Sequence, residues 1–183
     1  MQTVKSVKRG SINTKTIALT AMFAALVTVT TAFIKIPAPL GYAHAGDSMV
    51  YLAACALPFP LGFIAAGIGG ALADLISGYA VFALPTAIIK ALNVLPFLLV
   101  RLYLSKKQKD DRLLRIPTAL ALIPTSLITV GGYFLANMML FDRAYAVTET
   151  PFNLVQSAVG AALFIALALA LDAIKFKQKL KLN

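Results

Sequence analysis

The chain has 183 residues, of which 60% are hydrophobic and 13% charged, and its mean hydropathy is +0.83. Soluble domains carry charge on roughly a quarter of their residues, so this composition excludes a soluble globular protein and indicates one whose solvent is lipid. The net charge of +10 does not indicate a nucleic-acid partner, because the basic residues stand at the ends of apolar runs and not on a polar face.

Apolar runs of about 20 residues, the length needed to cross the bilayer, recur along the chain. They predict an all-α membrane protein that forms a single domain over residues 1–183. The first run is too long for the core of a signal peptide, so we expect it to remain in the protein. The six transmembrane helices are predicted at residues 16–36, at two positions within 48–78, and at 80–104, 116–141 and 152–174.

The division of residues 48–78 depends on the sequence Pro58-Phe59-Pro60 and on Gly62 just after it. Proline removes a backbone donor and restricts the residue before it. We therefore expect a tight turn between two short helices, with one kinked helix as the alternative.

Most of the 17 lysines and arginines lie in three clusters: before the first helix, between the fourth and fifth, and after the sixth. Basic residues near membrane helices mark the cytoplasmic side. Even numbers of crossings between clusters place all three on that side, together with both termini. The cytoplasmic basic segments are residues 1–15, 105–115 and 175–183.

Catalytic and cofactor signals are missing from the sequence. It has no GxxxxGK[ST] motif for nucleotide phosphates. His44 is the only histidine and Cys55 the only cysteine, which argues against a histidine- or cysteine-based metal site and against a serine–histidine–aspartate triad. We expect neither a cofactor nor enzymatic activity.

Lys90 is placed near mid-membrane by the predicted fourth helix. A charge at that depth costs several kcal/mol unless it has a partner or faces a polar cavity. Helical spacing puts Thr86 and Asn93 on the same side. Lys90 therefore either pairs with a structural carboxylate, for which Asp74 is a candidate, or lines a cavity with these two residues.

The segment PAPLGYAHAGD (37–47) joins the first two helices and is too short and too rich in glycine and proline to be helical. Tyr42 and His44 offer flat faces for stacking on a ring, and Asp47 accepts hydrogen bonds. The segment is predicted to fold over a pocket as a lid. Alternatively, Asp47 only caps the second helix.

Amide side chains cluster toward the predicted outer ends of the last two helices, at Asn137, Asn153 and Gln156. Amides read the hydrogen-bonding edges of ligands and also join helices within membranes. Asp74 and Tyr79 lie at a similar depth. Their shared depth favours a common pocket.

The first helix carries Ala21 and Ala25 at the small-xxx-small spacing, which lets another helix approach closely. The partner is either a helix of the same chain or a second membrane subunit.

Several segments resemble the substrate-binding S components of energy-coupling factor (ECF) vitamin transporters, and the resemblance spans essentially the whole chain. They are AMFAA (21–25), AGDSMVYLAA (45–54), GGALADLISGY (69–79) and LPTAIIKALN (84–93). They are most similar to the riboflavin-type group and, within it, to members assigned to hydroxymethylpyrimidine or pyridoxine.

The resemblance implies a multi-pass protein of the plasma membrane that binds a vitamin from outside and delivers it inward. Its partners would be a transmembrane coupling subunit, the T component, and two cytoplasmic ATPases. The coupling subunit would contact Ala21 and Ala25. The implied substrate-binding residues are Tyr42, His44, Asp47, Lys90, Asn93, Asn137, Asn153 and Gln156.

Hydroxymethylpyrimidine or pyridoxine is the expected substrate, held at opposite polar edges by Lys90 and Asp47. Riboflavin is the alternative within the family. A structural membrane protein without a solute, in which Lys90 pairs with Asp74, is the alternative outside it.

Overall fold

The computed structural model describes residues 13–37, 42–107 and 109–180. Nearly all of them are helical, apart from a short hairpin of β1 (Lys35–Pro37) and β2 (Tyr42–His44). A single 3-10 turn, Ala80–Phe82, precedes α4. The helices are α1 (Thr14–Phe33), α2 (Asp47–Ala56), α3 (Leu61–Ile76), α4 (Ala83–Leu92), α5 (Val94–Lys106), α6 (Ile116–Leu120), α7 (Leu122–Leu140), α8 (Arg143–Ala173) and α9 (Phe176–Leu180).

Four helical stretches in this part of the chain are long and apolar enough to cross a membrane: Thr14–Phe33, Ala80–Lys106, Ile116–Leu140 and Arg143–Ala173. The two helices α2 and α3 are apolar but shorter, at 10 and 16 residues. The helical membrane architecture agrees with the prediction, whereas the count of six crossings and the orientation of the termini stay predictions. Of the predicted basic segments, residues 1–12, 108 and 181–183 lie outside the described residues.

Helix α1 begins where the Asn13 side chain accepts a hydrogen bond from the Thr16 amide, at 2.9 Å. It packs closely against α3. The Thr28 hydroxyl donates across to the Gly69 carbonyl at 3.0 Å, and a Cβ on Gly69 would lie 2.7 Å from the Ala24 carbonyl oxygen. Glycine at position 69 therefore allows the two backbones to approach.

Helix α2 is the centre of the molecule. All of its residues except Met49 are buried, and it contacts α1, α3, α5 and α8. Tyr51 stacks on Phe97 at 5.3 Å between ring centroids, and Phe164 meets both rings edge-on. The predicted turn after α2 is confirmed, because α2 ends at Ala56 and α3 begins at Leu61.

The predicted fourth and fifth helices are each interrupted once. The fourth divides at Asn93 into α4 and α5, and the fifth divides at Ala121 into α6 and α7. Pro96 and Pro124 stand in the first turns of α5 and α7. Proline has no amide hydrogen, so it is tolerated at that position of a helix.

The predicted start of the sixth helix at residue 152 is wrong. Helix α8 begins at Arg143, where the Asp142 carboxylate accepts from the Tyr145 amide at 2.7 Å. Pro151 lies inside this helix. The additional turns carry side chains that contribute to the candidate site.

Part of the segment 37–47 forms strand and not loop. Strands β1 and β2 pair antiparallel, with Lys35 opposite His44 and Pro37 opposite Tyr42. Residues 38–41 of the predicted lid lie outside the described part of the chain.

The end of the bundle away from the β1–β2 hairpin holds those residues of the three basic clusters that the structure describes. Charged side chains link the helices and the connecting segment there. Arg101 donates to the Ala54 carbonyl at 3.1 Å and to the Leu57 carbonyl, which caps the end of α2. The Asp172 carboxylate accepts from the Leu113 and Leu114 amides at 2.7 and 2.9 Å. These bonds hold the segment between α5 and α6 against α8.

Candidate functional site

A cavity of about 450 Å³, counted out to its mouth, opens at the end of the bundle away from the basic clusters. It lies between β2, the ends of α3 and α7, and the first turns of α8. The residues that line it are Tyr42, His44, Asp74, Tyr79, Phe82, Thr86, Tyr133, Asn137, Tyr145, Glu149, Asn153 and Gln156.

Aromatic rings form much of the wall. Tyr42 meets Tyr79 edge to face at 5.0 Å between centroids. Tyr145 stacks on Phe141 at 4.3 Å, and Phe82 lies next to Phe141. Flat apolar faces of this kind pack well against a planar ring.

Two buried oxygens in the lining lack hydrogen-bond partners among the described residues: Asp74 Oδ2 and Asn137 Oδ1. The Asp74 side chain is otherwise fixed, because its Oδ1 accepts from the Tyr42 hydroxyl at 2.9 Å. A buried acceptor without a partner costs about 1–3 kcal/mol. Donor groups on a ligand would satisfy both oxygens.

His44 is buried, and its Nδ1 accepts a hydrogen bond from the Gly46 amide at 3.1 Å. Burial, together with the nearby charge of Lys90, lowers the pKa of His44 to about 3. The imidazole is therefore neutral at physiological pH. With Nδ1 accepting, Nε2 carries the hydrogen and is a donor.

Below the cavity, Lys90 of α4 forms an ion pair with Asp47 of α2. Neither side chain has exposed surface. Gln156 donates to the other Asp47 oxygen at 3.0 Å, and the Lys90 ammonium lies 5.2 Å from the Tyr133 ring centroid. Gly160 of α8 leaves room for the pair, because a Cβ there would lie 2.7 Å from the Asp47 Cβ.

This geometry changes two expectations for Lys90. Lys90 and Asp47 do not stand at opposite edges of a ligand, because they bind each other, and neither lines the cavity among the described residues. The alternative pairing with Asp74 is also not what the structure contains, since Asp74 bonds Tyr42 instead. The physical reason is that the Asp47 carboxylate of α2 reaches the Lys90 ammonium, whereas the Asp74 carboxylate of α3 accepts from Tyr42 of β2.

Asn93 likewise lies away from the cavity. Its amide nitrogen donates to the Thr129 hydroxyl at 2.8 Å, and its side chain is completely buried. In this structure Asn93 joins the α4–α5 break to α7.

The structure brings five of the eight predicted substrate-binding residues together at the cavity: Tyr42, His44, Asn137, Asn153 and Gln156. The remaining three, Asp47, Lys90 and Asn93, are buried beside or beneath it. Four further residues line the cavity without having been predicted from the sequence: Phe82, Tyr133, Tyr145 and Glu149. Tyr145 and Glu149 precede Asn153 by two turns and one turn of α8, a signal that a correct helix start would have revealed.

Ala21 and Ala25 lie in a second, apolar depression between α1 and α3, which shares no lining residue with the cavity. Both alanines are exposed. Ile64, Ile68 and Leu72 of α3 form the facing wall. The small alanine side chains leave this surface concave, which suits close packing by a helix.

A family model described as ECF-type riboflavin transporter, S component, matches residues 11–173. A protein of Pyrococcus woesei, described as an uncharacterized protein in the gap 3' region, is 33% identical over 136 residues, which cover 73% of this chain and 86% of that protein.

Proposed function

Because this chain belongs to the family of ECF-type riboflavin transporter S components, we propose that it binds a small water-soluble vitamin or precursor for uptake across the plasma membrane. The family is a transporter family and not an enzyme class. We further propose where the solute binds, what chemical type it has, and which surface docks on the coupling subunit.

The observation that carries the proposal is the combination of unpaired acceptors and aromatic walls in one cavity. Asp74 Oδ2 and Asn137 Oδ1 lack partners among the described residues, while the rest of the bundle surface is largely apolar. In lipid, polar groups without partners are costly and mark functional sites. A planar solute with hydroxyl or amino donors would fill this space.

Hydroxymethylpyrimidine and pyridoxine are the favoured solutes, because each is a single ring with hydroxymethyl or amino donors. In this proposal the ring packs against Tyr42, and the amides of Asn137, Asn153 and Gln156 bond its polar edge. His44 donates from Nε2. The solute does not contact Asp47, Lys90 or Asn93 in this proposal. Asp47, held by its ion pair with Lys90, fixes the position of the Gln156 side chain.

Delivery would proceed by docking on the transmembrane coupling subunit, driven by the two cytoplasmic ATPases. The depression around Ala21 and Ala25 is the proposed docking surface. The depression and the cavity are lined by different residues. A substitution in the depression should therefore affect docking without affecting solute binding.

Riboflavin is the second candidate, favoured by the description of the matching family. Its three fused rings and ribityl chain demand more space than one ring.

The test is isothermal titration of the purified protein with hydroxymethylpyrimidine, pyridoxine and riboflavin. Saturable binding of one of the first two supports the proposal. Binding of riboflavin alone assigns the second candidate. Absence of heat with all three would leave a membrane protein that binds none of these solutes, and would contradict the proposal.

A further inference from the structure

We infer that the cavity selects solutes that carry a positive charge or several N–H and O–H donors, and that it excludes phosphorylated forms of the same ring. The inference rests on the proposed function and adds the charge of the substrate to it. It is carried by the composition of the lining and by the two unpartnered oxygens.

The lining contains two carboxylates, Asp74 and Glu149, which are 5% and 7% exposed. It contains no lysine or arginine among the residues that the structure describes. In a site with little water, a charge of opposite sign on a ligand is attracted strongly and a charge of the same sign is repelled.

Two lysines contact rings of the lining, and both are engaged outside the cavity. Lys90 is paired with Asp47 beneath it. The Lys35 ammonium lies 4.5 Å from the centroid of the Tyr42 ring and donates to the Ser77 hydroxyl at 3.2 Å. Neither lines the cavity, so neither offers a phosphate group a direct partner.

The unpartnered atoms are both acceptors. Asp74 Oδ2 and Asn137 Oδ1 belong to side chains that are at least nine-tenths buried. An ammonium or amino group donates to such oxygens, whereas a phosphate dianion offers only acceptors. The tyrosine rings of the wall add an attraction for cations through their faces.

Three compounds built on the same pyridine ring separate the effect of charge from the effect of shape. Pyridoxamine carries an ammonium group, pyridoxine a hydroxyl at the same position, and pyridoxine 5'-phosphate a dianion. We expect pyridoxamine to bind at least as tightly as pyridoxine, and the phosphate about 100-fold more weakly or not at all. Hydroxymethylpyrimidine and its phosphate repeat the comparison on a second ring.

Asp74→Asn removes the negative charge and keeps an oxygen that accepts from Tyr42. It should reduce pyridoxamine binding about tenfold while changing pyridoxine binding less. The matched control is Asp142→Asn at the exposed start of α8, because asparagine also caps helices and Asp142 lies outside the cavity lining. Glu149→Gln is the second variant if Asp74→Asn does not fold.

The outcomes separate this inference from the proposed function. Phosphorylated and free forms binding equally would overturn the charge inference and leave solute binding intact. The same applies if neither Asp74→Asn nor Glu149→Gln changes the preference. Absence of binding by every compound, including riboflavin, would overturn the proposed function and the inference together.

Discussion

Lys90 of α4 and Asp47 of α2 form an ion pair in which neither side chain has exposed surface. Gln156 of α8 bonds the second Asp47 oxygen at 3.0 Å and also lines the cavity above. The pair therefore ties three helices together directly beneath the proposed solute site. Its charges compensate each other, which explains how a lysine is tolerated at this depth.

Removing one member of the pair should destabilise the protein more than removing both. Lys90→Met leaves the Asp47 charge buried, and losing one partner of a buried pair costs about 3–5 kcal/mol. The double variant Lys90→Met with Asp47→Asn leaves no buried charge and should recover part of the loss. Thermal unfolding in detergent measures both. A Lys90→Met variant as stable as the wild type would contradict this role of the pair.

Tyr42 should hold the β1–β2 hairpin over the cavity through its bond to Asp74. Tyr42→Phe removes only the hydroxyl, and we expect vitamin binding to weaken about tenfold because hydrogen bonds to charged groups contribute roughly 1.5–3 kcal/mol. Hydrogen exchange of the hairpin amides should also become faster.

Tyr103→Phe is the control for this hydroxyl deletion. Tyr103 lies at the opposite end of the bundle, where its hydroxyl accepts from Lys107 at 2.6 Å. Its loss should leave vitamin binding unchanged. Equal effects of the two substitutions would show that the Tyr42–Asp74 bond has no specific role.

The hairpin also illustrates what sequence can and cannot predict. The composition of residues 37–47 placed Tyr42 and His44 near a pocket, and helical depth placed Asn137, Asn153 and Gln156 at the same level. These inferences needed only the composition of the segment, the helical repeat and the position of each residue along its helix. The partner of Lys90 was beyond reach, because Asp47 and Asp74 are both candidates until the packing of α2 between its neighbours is known.

The lining contributed by α8 was missed for a related reason. The predicted start at residue 152 comes directly after Pro151. In the structure, Asp142 caps the helix earlier and Pro151 is accommodated within it. Local sequence signals cannot reveal when packing overrides a proline, so Tyr145 and Glu149 were not recognised.

Stability should fall with acid through His44. Its pKa is about 3 in the folded protein and about 6.5 when unfolded, so between these values the unfolded state binds the extra proton and stability rises with pH. Lowering pH from 7.5 to 5.5 should therefore cost the wild type about 1 kcal/mol more than His44→Gln. Thermal unfolding at the two pH values measures this. The same pH dependence in both proteins would contradict the neutral, buried histidine.

The docking surface should be separable from the binding cavity. Ala21→Trp and Ala25→Trp fill the depression between α1 and α3, so we expect them to abolish co-purification with the coupling subunit and transport while vitamin binding persists. Met22→Trp is the control, because Met22 is exposed on α1 but does not line the depression. Loss of vitamin binding along with docking would indicate misfolding instead.

The central claim is that the cavity beside Asn137 holds a single-ring vitamin. The most direct measurement is isothermal titration of the wild type and of Asn137→Leu with hydroxymethylpyrimidine and with pyridoxine. We predict saturable binding of at least one compound to the wild type. Binding to the variant should be weaker by about tenfold or more, because leucine is similar in size to asparagine but has no hydrogen-bond acceptor. Equal affinity in both proteins, or no binding of either compound to the wild type, would contradict the account.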